Sequence, residues 1–234
     1  MIFQFKQFSV KQAQSAMKIG TDSVLLGAWT PLEQPQSILD IGAGTGLLAL
    51  MLAQRSDAMT IDAMEIDESA YIECTENFEA SPWGDRLFCY HASFEEFFTE
   101  MDEPYDLIIS NPPFYPTDYK TPEKARNTAR FSDALPPEQL LEGVNRLLAV
   151  EGKFSVILPY TESESFITLA ATFGLFPQQI THTRGNAQSE LKRSMMLFAR
   201  APQPSYPIDI LTIEKERGVY TEAYKALTKE FYLK

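Results

Sequence analysis

The chain has 234 residues, of which 44% are hydrophobic, so it can bury one substantial core with at most a small appendage. Apolar runs such as LLALMLA (47–53) stop well short of the roughly 20 residues that a bilayer span needs, and the start MIFQFKQF lacks the basic-then-apolar order of a signal peptide. We therefore expect a cytoplasmic protein without a membrane anchor, and the two cysteines, which lack CxxC spacing, indicate core thiols and no metal site.

The net charge of −12 is unevenly distributed along the chain. Residues 57–106 hold fifteen acids and one base, whereas eleven of the twenty Lys and Arg residues lie in the segments 1–21, 118–130 and 182–200. An acidic total can thus conceal a basic face for a polyanionic partner, although solvated surface charge is the alternative for each segment alone. The substrate-binding candidates from these segments are Lys120, Lys124, Arg126, Arg130, Arg184, Lys192 and Arg193.

The elements alternate in a regular order. After an extended or irregular start, Thr21, Asp22 or Ser23 would cap a short helix over VLLGAW. Strands are predicted at 37–41, 60–66, 86–92, 105–110 and 153–159, and helices at 46–55, 69–80 and 136–150, with a short helix begun by Ser93 and a capping box to Glu96. Continuously apolar strands in βαβαβ order predict a parallel sheet covered on both faces.

The C-terminal part of the sequence no longer alternates strands with helices. Residues 175–184 and 194–201 look like two strands joined by GNAQSELK, which predicts an antiparallel hairpin at a sheet edge. An extended piece, PIDILTIE, and a last helix, YTEAYKALTKEFY, follow. We predict an α/β, Rossmann-like fold with a seven-stranded, mostly parallel sheet in one domain. Residues 1–36 would be an N-terminal extension, 37–201 the core, and 202–234 a C-terminal strand and helix.

A glycine-rich turn, LDIGAGTG (39–46), follows the first strand and opens a helix. Gly42 and Gly44 permit positive φ and close backbone approach, and Gly46 starts a helix with free N–H groups, which suits a nucleotide-like ligand. A nicotinamide dinucleotide fold is the alternative, but its fingerprint needs glycine where this chain has Leu47. Asp40 is awkward for a pyrophosphate and welcome for a cationic amino acid, so the charge favours S-adenosylmethionine.

An acid stands at the end of the second strand. Glu65 lies nineteen residues past Gly46, and a carboxylate at the carboxyl end of a strand can accept both hydroxyls of a ribose. We therefore predict that Glu65 is the ribose ligand.

The stretch YDLIISNPPFYP (105–116) runs from an apolar strand into a stiff segment, because proline restricts the residue before it and fixes its own φ. The segment lies at the carboxyl end of the fourth strand, where open α/β sheets place ligands. The side-chain carbonyl of Asn111 and the main-chain carbonyl of Pro112 can together accept both hydrogens of an amino group. Phe114 supplies a flat face, and Tyr115 could stack with it. A rigid turn with a core Phe is the alternative for this motif alone.

This arrangement suits the methylation of an exocyclic amine. The lone pair of such an amine is delocalised into the ring, and the nitrogen becomes cationic as it attacks a methyl group. Two rigid acceptors stabilise that charge, and the target base must be flipped out of its stack or already unstacked.

Taken together, the motifs resemble class I S-adenosylmethionine-dependent methyltransferases that act on an amino nitrogen through an Asn-Pro-Pro-aromatic motif. The stretches KIGTDSVLLGAW, KARNTARFS and VYTEAYKALTKEFYLK are similar to the bacterial tRNA(Val) adenine-N6 methyltransferases, which modify the adenine next to the anticodon. The resemblance implies tRNA as the partner and a cofactor held by Asp40, Gly42, Gly44, Gly46, Glu65 and Asn111. Many relatives hold the cofactor adenine with an Asp after the third strand. This chain reads HASF there, so Ser93 or the local backbone would substitute.

Four other functions stay open at this point. Enzymes that methylate a protein glutamine usually carry a helical domain before the glycine loop, and only about 38 residues precede it here. Guanine-N2 methyltransferases typically have histidine where this chain has Tyr115, and DNA adenine methylation would require an extra recognition domain. A non-catalytic RNA-binding module would keep the basic segments but has no need of a stiff double acceptor. We expect a monomer, although the sequence does not fix the oligomeric state.

Overall fold

The computed structural model describes residues 1–13, 15, 18–113 and 135–233 of the chain. Within them the strands are β1 (Ile2–Gln4), β2 (Ser9–Lys11), β3 (Ser37–Ile41), β4 (Thr60–Glu65), β5 (Leu87–His91), β6 (Tyr105–Ser110), β7 (Leu148–Pro159), β8 (Phe176–Arg184), β9 (Arg193–Ala199), β10 (Ile208–Thr212), β11 (Glu214–Glu216) and β12 (Val219–Tyr220). The α-helices are α1 (Thr21–Trp29), α2 (Leu47–Arg55), α3 (Glu68–Glu79), α4 (Phe94–Glu100), α5 (Pro137–Leu147), α6 (Ser163–Thr172) and α7 (Glu222–Thr228).

One mixed sheet organises the fold, with the strand order β10-β8-β9-β7-β6-β3-β4-β5. Strand β9 is antiparallel to both of its neighbours, and all the other pairs in this sheet are parallel. From β3 the chain adds strands first on one side, as β4 and β5, and then on the other side, as β6 and β7. Doubly wound sheets leave a crevice at such a change of direction, which here lies between β3 and β6. The predicted α/β class and the mostly parallel sheet are confirmed.

The predicted count of seven strands is wrong by one within the described residues. The C-terminal strand that we predicted within 202–234 forms β10 and joins this sheet by pairing in parallel with β8, from Ile208 opposite Ile180 to Thr212 opposite Arg184. The hairpin of β8 and β9 is present, but β10 covers its outer strand, so the hairpin does not form the sheet edge. Local sequence carries little information about this pairing, because a parallel partner is chosen through contacts between distant segments.

Helices cover both faces of the sheet, as predicted, and each face has its own core. Strand residues alternate between the cores, so Ile38 packs with α1, α2 and α3 on one face, whereas Leu39 packs with α4, α5 and α6 on the other. Both residues are fully buried. Because side chains alternate along a strand, a strand that is buried on both faces is mostly apolar, which explains Ile38, Leu39 and Ile41 in the sequence SILDI.

Helix α1 begins differently from our prediction. Its N-cap is Gly20, whose backbone is extended, and no side chain caps the first turn. The side chains of Asp22 and Ser23, two of the predicted caps, instead make contacts with residues far along the chain. The first turn of α1 is therefore tied to other elements of the fold.

Candidate active site

Three strand ends meet at the carboxyl edge of the sheet. Ile41, at the end of β3, lies opposite Met64 of β4 and opposite Ser110 of β6. The residues that follow these strands are therefore neighbours: the glycine loop after β3, and Asn111 after β6. The register brings together the two motifs that the sequence predicts to share a site.

The glycine loop has the backbone that its sequence predicts. Gly42, Gly44 and Gly46 have φ of +69°, +56° and +78°. The N–H groups of Gly42 and Ala43 both donate to the carbonyl of Met64 at 3.0 Å, which fixes the loop on β4. A Cβ at Gly42 or Gly44 would meet no atom within 4 Å, so open space lies beside the backbone at both positions.

Position 46 requires glycine for a second reason besides its positive φ. A Cβ at this position would lie 2.5 Å from Cε1 of Phe78 and 2.8 Å from Sγ of Cys74, both on α3. The end of the loop is therefore packed tightly on α3, whereas the part around Gly44 is open.

Glu65 is a rigid acceptor in this site. Its side chain is only 8% exposed. One carboxylate oxygen accepts from Gly44 N–H at 2.8 Å, and the other accepts from Asp67 N–H at 2.9 Å. A carboxylate has about four lone-pair positions, so each oxygen can accept one more hydrogen bond. Two hydroxyls of a ribose fit this capacity, but the role of Glu65 as a cofactor ligand stays a prediction.

Asp40 lies within the sheet just before the loop, and it is fully buried. Burial raises the pKa of Asp40 to about 7, and the nearby charge of Glu65 adds to the rise, although the N–H of Ala49 donates to Oδ2 at 3.1 Å and opposes it. The other oxygen, Oδ1, has no hydrogen-bond partner within the described part of the chain. A buried carboxyl of this kind is matched by a ligand with a positive charge.

Asn111 presents a free acceptor at the same edge. Its Nδ2 donates to Ser23 Oγ at 2.8 Å. Its Oδ1 is buried and has no partner among the residues that the structure describes. Ser23 therefore fixes the orientation of the amide, and a buried carbonyl without a partner is a group that a ligand can satisfy. Pro112 follows in a buried position.

Sequence reasoning missed Ser23 because its partner lies 88 positions away in the chain. The neighbouring Asp22 accepts from Arg193 Nε at 2.7 Å and so ties the same turn of α1 to β9. Arg193, which we predicted as a substrate contact, is thus engaged within the protein and is partly exposed. Its contact with substrate stays a prediction.

Ser93 lies at the end of β5, beyond β4, and forms the predicted capping box of α4. Its Oγ donates to Glu96 Oε2 at 2.7 Å, and Glu96 N–H donates back to Ser93 Oγ at 3.2 Å. The hydrogen bonds that the Ser93 hydroxyl and the Ser93 N–H donate to this carboxylate lower the pKa of Glu96 below its ordinary value. The hydroxyl and the N–H of Ser93 are both used in this capping box, and a contact of this residue with the cofactor adenine stays a prediction.

A small apolar cavity lies next to Pro112 and Pro113, with Leu158 and Phe166 in its lining. Its volume of about 40 Å³ is close to the roughly 30 Å³ that one water occupies in the liquid. The cavity therefore cannot hold a base or a cofactor.

The remaining predicted contacts divide into two groups. Arg184 donates to Thr212 Oγ1 at 2.9 Å, and Lys192 is exposed on the connection that enters β9. The other predicted site residues lie outside the described residues: Phe114, Tyr115, Lys120, Lys124, Arg126 and Arg130. Their roles stay predictions.

Two other kinds of feature are absent from the described part of the chain. It has no group of three or more His, Cys, Asp or Glu side chains placed to hold a metal ion. None of its helices has the length and apolar character to cross a bilayer.

The unpartnered buried oxygen of Asp40, the carboxylate of Glu65 and the open space beside two glycines fit one kind of ligand. Such a ligand carries positive charge near Asp40, hydroxyl groups near Glu65, and a flat part that approaches the glycine backbone. S-adenosylmethionine, with a sulfonium, an amino group and a ribose, meets these requirements.

Comparison with known proteins agrees with this geometry. Residues 9–172 match the family model described as the methyltransferase small domain. Two curated tRNA1(Val) (adenine(37)-N6)-methyltransferases, from Flavobacterium psychrophilum and Flavobacterium johnsoniae, are 59% and 56% identical to the chain over the full length of both proteins.

Solved structures share the fold at low sequence identity. A predicted O-methyltransferase from Agrobacterium tumefaciens has a TM-score of 0.66 at 17% identity, with 90% of this chain and 96% of that chain covered. A methyltransferase from Pyrococcus furiosus has a TM-score of 0.61 at 18% identity, with 83% and 89% covered. These likenesses support the fold alone. The family match and the full-length relatives show more: the chain belongs to the methyltransferase small domain family and is a class I S-adenosylmethionine-dependent methyltransferase.

Proposed function

We infer that this protein transfers a methyl group from S-adenosylmethionine to the exocyclic N6 amine of an adenine in tRNA. The target is the adenine next to the anticodon of tRNA(Val), position 37 in the names of its relatives. The observation that carries the chemistry is the amide of Asn111, with its nitrogen bonded to Ser23 and its buried oxygen left unpartnered by the described residues.

The orientation of this amide decides what it can bind. Because Nδ2 donates to Ser23 Oγ, Oδ1 is the atom left to meet a substrate. A carbonyl oxygen accepts an N–H group, and an adenine N6 amine has two of them. The main-chain carbonyl of Pro112 is the proposed second acceptor. Its place after Asn111 is stiff, because two successive prolines fix the backbone.

The pair of acceptors acts on the nitrogen as it reacts. The amine lone pair is delocalised into the purine, and the nitrogen gains positive charge when its new bond to carbon forms. Two carbonyl oxygens stabilise this charge and favour a tetrahedral nitrogen. The extra proton then leaves to solvent. By analogy with an oxyanion-hole donor, each acceptor contributes about 3 kcal/mol, and holding the reactants in line contributes ~7–11 kcal/mol.

The cofactor site supplies the alignment. Asp40 places a negative charge under the glycine loop, and Glu65 is held by Gly44 and Asp67 so that it can accept from a ribose. When bound, the cofactor supplies an electrophilic methyl group on a positively charged sulfur. The register of β3 and β6 brings the glycine loop and Asn111 to the same edge of the sheet, which supports this alignment.

The base must leave its stack before it can reach Asn111. Phe114 and Tyr115 are the proposed stacking residues for the extruded adenine. The basic residues of 118–130, together with Arg184, Lys192 and Arg193, are the proposed contacts to RNA phosphates. Because such contacts release counterions, tRNA binding should weaken steeply as salt rises.

The test is methyl transfer from labelled S-adenosylmethionine to an unmodified tRNA(Val) transcript. We expect incorporation of one methyl group per tRNA, loss of incorporation when adenine 37 is replaced by guanine, and loss with Asn111→Ala. Incorporation that survives the change at position 37 would refute the proposed target. Incorporation that survives Asn111→Ala would refute the proposed chemistry.

The same acceptor pair would also suit the amide of a protein glutamine or the N2 amine of a guanine. Ribosomal RNA and a mixture of cytosolic proteins should therefore be offered beside the tRNA in the same assay. We expect labelling of tRNA alone, and labelling of either rival substrate in preference to tRNA would contradict the proposal.

A further inference from the structure

Helix α3 buries two polar side chains one helical turn apart, at Glu73 and Asn77. They are only 4% and 2% exposed. Burying a polar group is costly unless its hydrogen bonds are made, so both residues need specific partners. Positions i and i+4 share one face of a helix. This face of α3 is directed at the backbone of two segments that lie beside the cofactor site.

Asn77 joins these two segments with one side chain. Its Oδ1 accepts from Lys11 N–H at 2.8 Å, and its Nδ2 donates to the Lys11 carbonyl at 3.0 Å. The same Nδ2 donates to the carbonyl of Thr45 at 2.9 Å. Lys11 ends β2, and Thr45 lies in the glycine loop between Gly44 and Gly46. The amide of Asn77 thus ties the end of β2 to the glycine loop.

Glu73 continues the connection one turn earlier. Its carboxylate accepts from Ser15 N–H at 2.9 Å and from Ser15 Oγ at 2.6 Å, and it also accepts from Ala13 N–H. On the other side, the ammonium of Lys18 donates to the carbonyls of Gln12 and Ser15 at 2.6 and 3.0 Å. Side chains therefore satisfy much of the described backbone of this segment, in addition to the bond from Gln12 N–H to the Met1 carbonyl.

The glycine loop depends on such outside anchors. Three residues with positive φ give the free loop high conformational entropy, so its binding shape must be held from elsewhere. β4 supplies two anchors, through the carbonyl of Met64 and the carboxylate of Glu65. Asn77 supplies an anchor at the far end of the loop, and it is the one that reaches across to the N-terminal segment.

We propose that Asn77, supported by Glu73, is a positioning residue that holds the glycine loop and the segment from Lys11 to Ser15 together, and that cofactor affinity depends on this link. The proposal rests on the glycine loop as the cofactor site, and it does not depend on which substrate is methylated. Asn77 acts through the Thr45 carbonyl and the loop backbone and needs no contact with the substrate.

The test compares Asn77→Ala and Asn77→Asp with Glu76→Ala. Glu76 is the matched control, since it lies next to Asn77 on α3 and pairs with Lys11 through an exposed ion pair at 3.0 Å, without reaching the glycine loop. The measurements are the Kd for S-adenosylhomocysteine by calorimetry, KM and kcat in methyl transfer, and hydrogen exchange of the loop amides.

We expect Asn77→Ala to raise the cofactor Kd and KM about tenfold, since three hydrogen bonds to the loop and the N-terminal segment are lost. Asn77→Asp should have a larger effect, because its buried carboxylate would repel the carbonyl oxygens of Lys11 and Thr45 in place of donating to them. The value of kcat at saturating cofactor and the KM for tRNA should stay within about twofold of wild type. Exchange should speed up in residues 11–15 and 42–46 together, whereas Glu76→Ala should leave all these quantities unchanged.

A loss of thermal stability with unchanged cofactor Kd and KM would overturn the proposal, because it would show a purely structural role. Equal effects from Glu76→Ala would overturn it as well. If Asn77→Ala does not fold, Glu73→Gln provides the same comparison. We expect this variant to raise the cofactor Kd and KM specifically, and the absence of such an effect would refute the proposal. Because the cofactor Kd is measured without RNA, a failure of tRNA methylation by the wild type would leave this result standing.

Discussion

Alanine at Gly44 and alanine at Gly46 should cause two different defects, although both glycines lie in the same loop. Both have positive φ, which costs an L-residue about 1–2 kcal/mol. At Gly44 a Cβ meets no atom within 4 Å, so this backbone cost is the whole cost to the free protein. At Gly46 the clash with Phe78 and Cys74 adds about 1–3 kcal/mol of overpacking.

These costs translate into distinct melting temperatures. For a chain of this size 1 kcal/mol lowers Tm by about 2–4 °C, so Gly44→Ala should lower Tm by roughly 2–8 °C and Gly46→Ala by roughly 4–20 °C. Gly174→Ala is the matched control, since Gly174 has φ of +71° and open space but follows α6, away from the loop. It should lose as much Tm as Gly44→Ala.

Cofactor binding separates the three variants further. Gly44→Ala places a methyl group in the space that the cofactor needs, so its Kd for S-adenosylhomocysteine should rise tenfold or more, while Gly174→Ala binds like the wild type. Calorimetry for Kd and thermal melting for Tm are the assays. A wild-type Kd for Gly44→Ala, or equal Tm losses for Gly44→Ala and Gly46→Ala, would refute the assignment of open and packed parts of this loop.

Three further predictions concern cofactor charge, the orientation of the amide and the RNA. Because burial raises the pKa of Asp40 to about 7, its carboxyl is neutral below pH 7, and the Kd for S-adenosylmethionine should rise about tenfold per pH unit below 7. Asp40→Asn should remove this pH dependence, and a flat profile in the wild type would contradict the prediction. Ser23→Ala should lower kcat about fivefold to tenfold and leave the cofactor Kd unchanged, since one hydrogen bond that orients Asn111 is lost. Ser23→Thr should restore kcat, and full activity of the alanine variant would contradict the prediction. Lys192→Ala should raise the tRNA Kd and lower the salt dependence of this Kd by about one released ion. Lys225→Ala should change neither quantity, because Lys225 is already paired with Glu222. Identical salt slopes for the two variants would contradict the prediction.

Local patterns predicted the parts of the site that local sequence controls. The glycine loop, the strand before it and the acid that ends β4 are each encoded within a few residues, and the observed β3 and β6 have the predicted bounds. Parallel strands then place the carboxyl ends at one edge without further information. The sequence could therefore predict that Glu65 and Asn111 lie at the same edge of the sheet.

Long-range contacts explain what the sequence could not predict. Asn111 meets Ser23 and Thr45 meets Asn77, and neither pairing leaves a periodic or spacing signal. The partner of a surface charge is equally hidden, so the charge pattern could not reveal that Arg193 pairs with Asp22. The place of the C-terminal strand in the main sheet was missed for the same reason, because β10 joins the sheet through its pairing with β8.

The N-terminal bases illustrate how charge counts mislead. Lys11 and Lys18 lie in a segment without acids, which suggested a basic surface. In the structure Lys11 pairs with Glu76, and Lys18 is directed at backbone carbonyls of residues 12–15. These two charges organise the protein itself, and the predicted RNA surface is better sought at Lys192 and its neighbours.

The central claim is that the Asn111 amide directs methylation of adenine N6 in tRNA. Mass spectrometry of nucleosides from purified tRNA(Val) tests it most directly, in cells that lack this protein and carry either the wild-type gene or Asn111→Ala. We predict that N6-methyladenosine is missing without the protein, returns with the wild type and stays missing with Asn111→Ala. N6-methyladenosine that persists without the protein, or returns with Asn111→Ala, would contradict the account.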